Sequence, residues 1–384
     1  MSIILEEPNP FQRMKFMLQG LDGPLLVAVF LLACAGMLTM YSSGGGGDGR
    51  FMDHGRNMLL ACLIMFMVAQ IPPHRLMSFA LPLYTVGVAL LIAVALFGLT
   101  KKGARRWLYV GVVIQPSEIL KIAMPLMLSW WFQKREGQLR PLDFMVAAIL
   151  LLVPVGLIVK QPDLGTAILV LSAGFYVIFF AGLSWRLIVP PVVIFLGLVL
   201  TLVILEPTLC EDQFHWPLLR DYQQQRICTL LDPSRDPLGK GFHIIQGMIA
   251  IGSGGIFGKG FLQGTQTHLD FIPEHATDFV FASYAEEFGL FGAILLIVGF
   301  VFLILRGLSI ALEGPTLFSR LLAGSITLIF FTYAFVNMAM VSGILPVVGV
   351  PLPFISYGGT AMVTLGFGLG ILMSVSKAKQ LVQS

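Results

Sequence analysis

Long apolar runs alternate with short polar segments along almost the whole chain. A helix needs about 20 mostly apolar residues to cross a bilayer, and ten runs meet or approach that length. They lie near residues 22–42, 57–72, 77–98, 116–134, 143–160, 163–182, 186–205, 280–306, 320–341 and 359–376. We therefore predict an all-α integral membrane protein with about ten transmembrane helices, in which residues 1–384 form a single polytopic domain.

Composition supports this class. Of the 384 residues, 57% are hydrophobic and 12% are charged, and the mean hydropathy is +0.87. Soluble domains carry about 25% charged residues, so this chain has little room for a large water-soluble domain. The net charge of +3 is too small to favour a nucleic-acid partner.

Lysine and arginine predict the orientation, because short basic loops stay on the cytoplasmic side. If both termini are cytoplasmic, eleven basic residues face inward: Arg13, Lys15, Arg75, Lys134, Arg135, Arg140, Arg186, Arg306, Arg320, Lys377 and Lys379. Seven in short loops face outward: Arg50, Arg56, Lys101, Lys102, Arg105, Arg106 and Lys160. The excess favours cytoplasmic termini.

The same orientation makes the long polar stretch 206–279, between spans 7 and 8, extracytoplasmic. Loops of this length usually have a function or are disordered, and its apolar residues suit short amphipathic helices against the membrane. Cys210 and Cys228 lie within it. They form a disulfide if the loop faces an oxidising compartment, or they remain two free thiols.

Charged residues within a span are costly and usually face a partner or a cavity. Glu118 and Lys121 are three residues apart in the fourth span, so they share one helix face. They form either a structural ion pair or part of a functional site. Before them, Lys101–Arg106 supplies cations that suit phosphate oxygens, either as a clamp for an anionic lipid head group or as a simple anchor.

Two further segments place carboxylates near the ends of predicted spans. Asp163, in the turn at 161–166, either caps the sixth helix or holds a cation. Asp278 precedes the eighth span, where Thr277 or Asp278 itself is a candidate N-cap. Glu286 follows eight residues later, about 12 Å deeper on nearly the same face, which favours a polar cavity that reaches inward.

The last segment, 349–359, contains two prolines and several glycines at predicted membrane depth. Irregular backbone is tolerated there only when it is packed in protein or lines a cavity. We expect this segment to form part of the same cavity wall.

These segments occur in an order that resembles the SEDS family (shape, elongation, division and sporulation) from about residue 22 to residue 376. The motifs that carry the resemblance span residues 103–107, 115–121, 161–166, 249–260, 273–287 and 351–359. Residues 243–246, 264–266 and 269–271 are similar to the elongation members. One departure is His275-Ala276, since the family often has a basic residue and a histidine directly before Thr277.

The resemblance implies a peptidoglycan glycosyltransferase that polymerises lipid II during cell elongation. Asp278 would be the catalytic general base of an inverting reaction, with undecaprenyl diphosphate as the leaving group. The substrate-binding residues that we predict are Arg105, Arg106, Gln115, Ser117, Glu118, Lys121, Gln161, Asp163, His243, Gln246, Glu274, Glu286, Glu287 and Ser356.

This set of residue types suits the chemistry. An aspartate is ionised at pH 7 and can accept the proton of the attacking hydroxyl. A diphosphate leaves as an anion, so it needs positive charge from Arg105 and Arg106, or from a divalent cation such as Mg²⁺ or Mn²⁺. The resemblance also implies a class B penicillin-binding protein and other elongation-complex membrane proteins as partners, and location in the bacterial inner membrane.

Two other functions remain open at this point. Charges within spans and broken helices also suit a lipid II flippase, and a structural scaffold for a wall-building complex is the third hypothesis. Purified protein given labelled lipid II would separate them by glycan strands, by scrambling across the bilayer, or by neither.

Overall fold

The computed structural model describes residues 21–44, 49–101, 104–109, 111, 113–205, 209–210, 224, 228–229, 231–235, 240–265 and 276–383. Eleven α-helices lie within these residues. They are α1 (Gly23–Ser43), α2 (Gly49–Ala69), α3 (Pro73–Phe97), α4 (Pro116–Gln133), α5 (Pro141–Lys160), α6 (Leu164–Phe180), α7 (Trp185–Ile204), α8 (Lys240–Ser253), α9 (Val280–Leu312), α10 (Leu317–Val341) and α11 (Gly359–Gln383).

The helical membrane fold that the sequence predicts is confirmed. Among the described helices, eight are long and apolar enough to cross a bilayer, namely α1, α2, α3, α5, α7, α9, α10 and α11. Helices α4 and α6, of 18 and 17 residues, overlap the other two predicted spans. The count of ten spans stays a prediction. Helix α8 lies in the stretch that the sequence assigns to the long loop.

A small antiparallel sheet joins α3 to α4. Its strands are β1 (Leu99–Lys101), β2 (Ala104–Tyr109) and β3 (Val113–Ile114), in the order β1-β2-β3. The sequence pattern does not predict these strands, because the stretch is short and its basic residues mask the alternation of a strand. The sheet places Arg105 and Arg106 on successive positions of β2, so their side chains leave opposite faces.

Helices α4, α6, α10 and α11 are largely buried and lie at the centre of the bundle. Helix α11 packs closely on α2, because a Cβ atom on Gly366 would lie 2.5 Å from the carbonyl oxygen of Ala61. At the opposite end of the bundle from the start of α9, Arg306 donates to both carboxylate oxygens of Asp22, at 2.9 and 2.6 Å. This pair ties α9 to the start of α1. Helix α7 has no buried residue.

Helix α9 is broken at Gly289, where φ is 65° and ψ is −163°. The segment after α8 restores the lost backbone hydrogen bonds. Lys259 N and Gly260 N donate to the carbonyls of Glu286 and Glu287 at 3.0 and 3.1 Å, and Leu290 N donates to Gly255 O at 2.9 Å. The break is tolerated within an apolar helix because these backbone groups stay paired.

Candidate functional site

Asp278 lies in a turn, Ala276–Phe279, directly before α9. The N-cap position of α9 is occupied by Phe279, so the prediction that Thr277 or Asp278 occupies it is wrong. The Asp278 carboxylate instead lies beside Gly349, where a Cβ atom would be 3.4 Å from Oδ2. Gly349 also has a φ of 74°, a conformation that favours glycine. A residue without a side chain therefore leaves room at the carboxylate.

Three side-chain and backbone donors hold the turn that carries Asp278. Asn337 Nδ2 on α10 donates to the carbonyl of Asp278 at 2.9 Å. Ser356 Oγ donates to the Thr277 carbonyl at 2.6 Å, and Tyr357 N donates to the Ala276 carbonyl at 2.8 Å. Three consecutive carbonyls are thus fixed from outside the turn, which restricts the positions that the carboxylate can adopt.

The segment 349–359 is irregular, as its prolines and glycines predict. Asn337 Nδ2 also donates to Val350 O at 2.7 Å, and Leu352 N donates to Ser356 Oγ at 2.7 Å. The hydroxyl of Ser356 therefore accepts from its own segment while it donates to the Asp278 turn. The single hydroxyl hydrogen of Ser356 is therefore already donated within the protein. A substrate contact for Ser356 stays a prediction.

Asp163 is the centre of a second cluster at the N-terminus of α6. Its side chain accepts from Thr166 N at 3.3 Å, so the predicted helix cap forms. It also accepts from Gln115 Nε2 at 2.8 Å. The guanidinium of Arg106 lies 3.8 Å from the carboxylate and donates to the Pro162 carbonyl. Arg106, Gln115 and Asp163 are therefore brought together.

Two neighbouring polar residues complete this cluster. Gln115 Nε2 also donates to Ser117 Oγ at 3.1 Å, and Gln161 Nε2 donates to the Leu91 carbonyl at 3.1 Å. The first bond is local to the start of α4, and the second joins the turn at 161–163 to α3. Arg105, in contrast, is exposed, and its guanidinium makes one long contact of 3.5 Å with the Ala95 carbonyl.

Glu118 and Lys121 form the ion pair that their spacing predicts, with Nζ 2.6 Å from Oε1. Lys121 is buried and lies over the Tyr333 ring, 5.4 Å from its centroid. The second carboxylate oxygen of Glu118 accepts from Thr364 Oγ1 at 3.2 Å. The pair thus joins α4 to α10 and α11, while its role toward a substrate stays a prediction.

The Asp163 cluster and the Asp278 turn pack on the same segment. A Cβ atom on Gly165 would lie 2.6 Å from the carbonyl oxygen of Val348, next to Gly349 and its contact with Asp278. On α10, Tyr333 faces Lys121, and Asn337, one turn later, holds Asp278. Most of the predicted residues therefore gather at one end of the bundle.

A third polar cluster surrounds the break in α9. Glu286 is fully buried, and its Oε1 accepts from Lys259 Nζ at 2.6 Å and from Thr265 Oγ1 at 3.0 Å. Glu287 accepts from Ser42 Oγ on α1. Lys259 supplies the opposite charge for Glu286, and Ser42 supplies a hydroxyl donor for Glu287. A substrate-binding role for the two glutamates stays a prediction.

The remaining predicted residues lie elsewhere. His243 and Gln246 are on one face of α8, where the His243 ring is 6.0 Å from Phe279, the residue after Asp278. Nδ1 of His243 and Oε1 of Gln246 are buried and form no hydrogen bond within the described part of the chain. Glu274, and the departure at His275, lie outside the described residues.

The predicted divalent cation has a sparse set of protein ligands. Within the described residues, no group of three or more His, Cys, Asp and Glu side chains is placed to hold a metal ion. A cation held by one carboxylate would need substrate phosphate oxygens to complete its ligands, as Mg²⁺ often does. The use of a metal stays a prediction.

Sequence reasoning missed Asn337, Tyr333, Lys259 and Ser42 as members of these clusters. Asn337 had a usable signal, because it is an amide inside an otherwise apolar predicted span. The partners of Lys259 and Ser42 are far away in sequence and gave no such signal. The loop at 206–279 contains a disulfide between Cys210 and Cys228, which decides between the two states left open above.

Fold and site together define a multi-pass helical membrane protein with a buried polar site at one end of its bundle. A family model described as "Cell cycle protein", for FtsW, RodA and SpoVE, matches residues 23–381, so the chain belongs to this family. The resemblance to SEDS proteins is thereby confirmed.

Individual relatives agree with this assignment. The chain is 45% identical over 363 residues to the peptidoglycan glycosyltransferase MrdB of Escherichia coli K12, covering 94% of this chain and 95% of MrdB. It is similar to a solved structure described as a peptidoglycan synthase complex that coordinates polymerization and crosslinking, with a TM-score of 0.76, 29% identity, and coverage of 94% and 99%. The rod shape determining protein RodA of Thermus thermophilus gives a TM-score of 0.67, 26% identity, and coverage of 94% and 98%.

Proposed function

We propose that this chain is a peptidoglycan glycosyltransferase that polymerises lipid II into glycan strands during cell elongation. The proposal is supported by the family membership and by the names of the similar proteins. The observation that carries its mechanism is the position of Asp278, whose turn is fixed at three carbonyls while its carboxylate lies beside a glycine.

The reaction joins two sugars. The 4-hydroxyl oxygen of the acceptor GlcNAc attacks C1 of the donor MurNAc, and the bond from C1 to the diphosphate oxygen breaks with inversion. The proton of the hydroxyl moves to the Asp278 carboxylate, and the bonding electron pair leaves with undecaprenyl diphosphate. A fixed carboxylate suits this role, because proton transfer requires an approach to about 3 Å.

The leaving diphosphate needs positive charge, and the two arginines of β2, Arg105 and Arg106, differ in their contacts. Arg105 is exposed, and among the described residues its guanidinium has only a long contact with a backbone carbonyl, which leaves it available to phosphate oxygens. Arg106 is engaged with Pro162 and Asp163 and would support the clamp by holding the turn at 161–163. A divalent cation, if one is used, would add charge at the phosphates.

The location follows from the same proposal. We place the chain in the bacterial inner membrane with both termini cytoplasmic and the Asp278 end outside, where lipid II is consumed. The Cys210–Cys228 disulfide supports this orientation, because disulfides persist in oxidising compartments such as the periplasm. We further propose a class B penicillin-binding protein as the crosslinking partner, together with other membrane proteins of the elongation complex.

The test uses the purified chain, alone and with its proposed partner, and fluorescent lipid II. Glycan strands on a gel support polymerisation. Scrambling of lipid II across a vesicle bilayer without strands would instead support the flippase, an alternative that the broken helix α9 suits. If neither occurs with the partner present, the scaffold hypothesis replaces both.

A further inference from the structure

The backbone of Phe354 adopts an unusual conformation at the centre of the segment that holds the Asp278 turn. Its φ is 67°, in the left-handed region that bulky residues rarely occupy. The residue is 2% exposed, and its ring stacks on Phe330 of α10 with centroids 6.0 Å apart. Such a conformation persists only where the surroundings enforce it, so the neighbours of Phe354 identify what fixes the segment.

Two of these neighbours lie on α1 and α2, outside every cluster described above. The carbonyl oxygen of Phe354 packs directly on Gly36 of α1, where a Cβ atom would be only 2.1 Å away. The His54 ring on α2 lies next to the Phe354 backbone. His54 is 0% exposed, and its nitrogens complete no hydrogen bond of ordinary geometry within the described part of the chain.

A buried imidazole is unfavourable in an apolar interior unless it has a polar partner. A buried carbonyl likewise needs a donor, and the His54 ring lies next to the Phe354 backbone that carries this carbonyl. An imidazole N–H directed at this carbonyl would satisfy both groups. Glycine at position 36 allows the close approach, since any side chain would displace the carbonyl.

The effect of this contact extends to the carboxylate. Two and three residues after Phe354, Ser356 and Tyr357 hold the Thr277 and Ala276 carbonyls at 2.6 and 2.8 Å. Asp278 is the next residue of that turn. A shift of the Phe354 backbone therefore displaces the donors of two of the three hydrogen bonds that fix the turn. The third donor, Asn337, is on helix α10.

We propose that Gly36 and His54 form a seat for the Phe354 carbonyl, and that this seat positions Asp278 for proton transfer. Both are positioning residues, because they act through the segment 354–357 and do not touch the substrate. The inference rests on the proposed function of Asp278. It assigns α1 and α2 a part in catalysis that the polar motifs of the sequence do not suggest.

The test compares kcat and KM per folded protein for His54→Leu, His54→Gln and Gly36→Ala, with lipid II polymerisation as the assay. Displacement of a base by about 1 Å lowers turnover about 10²-fold, so we expect His54→Leu and Gly36→Ala to lose kcat with KM nearly unchanged. His54→Gln retains an N–H donor and should recover most of the turnover. Gly156→Ala is the matched control, because nothing lies within 4 Å of its added Cβ atom.

Parental kcat in His54→Leu would overturn the seat, and so would equal losses in His54→Leu and His54→Gln. If Gly36→Ala does not fold, the two His54 variants decide alone. Asp278→Asn is measured in parallel. If it retains turnover, the base assignment fails; if it is inactive while His54→Leu is fully active, only the seat fails.

Discussion

Asn337 and Asp278 are joined by a hydrogen bond of 2.9 Å from the side-chain amide to the backbone carbonyl, across 59 residues of sequence. The same amide nitrogen donates to Val350 at 2.7 Å. One buried side chain thus connects α10, the turn before α9 and the irregular segment before α11. Asn337 therefore contributes both to the stability of the fold at this junction and to the position of the Asp278 carboxylate.

We expect Asn337→Leu to lower both stability and turnover. It removes two donors and leaves two buried carbonyls without their partner, at about 1–3 kcal/mol for each unsatisfied group. Thermal unfolding in detergent measures the first effect, and kcat of the remaining folded protein measures the second. Gln138→Leu, an exposed amide between α4 and α5, is the control. Parental kcat in folded Asn337→Leu would show that the junction is only structural.

The Glu118–Lys121 pair should behave as a unit. Replacement of Glu118 leaves the buried charge of Lys121 unpaired, and replacement of Lys121 leaves the half-buried charge of Glu118 unpaired. An unpaired buried charge costs about 3–5 kcal/mol. We expect Glu118→Gln and Lys121→Met to reduce folded yield, and the double variant to recover it. Yield and thermal stability are measured first, then polymerisation. If the double variant folds and polymerises normally, the pair has no role toward the substrate.

Contacts between residues close in sequence could be predicted from the sequence, and contacts between distant residues could not. The ion pair is three residues apart and the cap by Asp163 spans three residues, so local spacing predicts both. Asn337 and Asp278, or Gly36 and Phe354, meet only after the helices pack. The break at Gly289 is also hidden, because the apolar pattern of α9 continues through it and the bonds that compensate it come from another segment.

Substitutions of the adjacent residues Arg105 and Arg106 should have different effects on activity and stability. Arg105→Ala removes an exposed cation and should weaken use of lipid II about 10- to 100-fold, as expected for a charge-assisted contact to phosphate, without loss of thermal stability. Arg106→Ala should also lower stability, because it breaks the contacts with Pro162 and Asp163. Normal kinetics in Arg105→Ala would indicate that the basic cluster is a simple anchor and does not bind the diphosphate.

Orientation can be tested with single cysteines after all four native cysteines are replaced. Ser234→Cys is exposed in the loop before α8 and should react with an impermeant maleimide in intact spheroplasts. Gln138→Cys, between α4 and α5, should react only after the membrane is permeabilised. The expectation follows from the distribution of Lys and Arg and from the disulfide. The opposite labelling pattern would reverse the topology.

Asp278→Asn is the most direct test of the mechanism. Asparagine keeps the size of the side chain but cannot accept the hydroxyl proton, so polymerisation should fall by about 10²–10⁴-fold or more. Stability should change little, because the backbone carbonyl of residue 278, and not its carboxylate, is the group that Asn337 holds. Phe279, and not residue 278, occupies the N-cap position of α9.

The assay for this variant is gel analysis of strands from fluorescent lipid II, with thermal unfolding measured in parallel. Asp53→Asn is the control, since it removes a surface carboxylate that pairs with Arg56 at 3.1 Å. Asp278→Glu should keep trace activity at most, because one methylene group displaces the base by about 1 Å. Near-parental strand synthesis by a folded Asp278→Asn protein would exclude Asp278 as the base and would require another group to accept the hydroxyl proton.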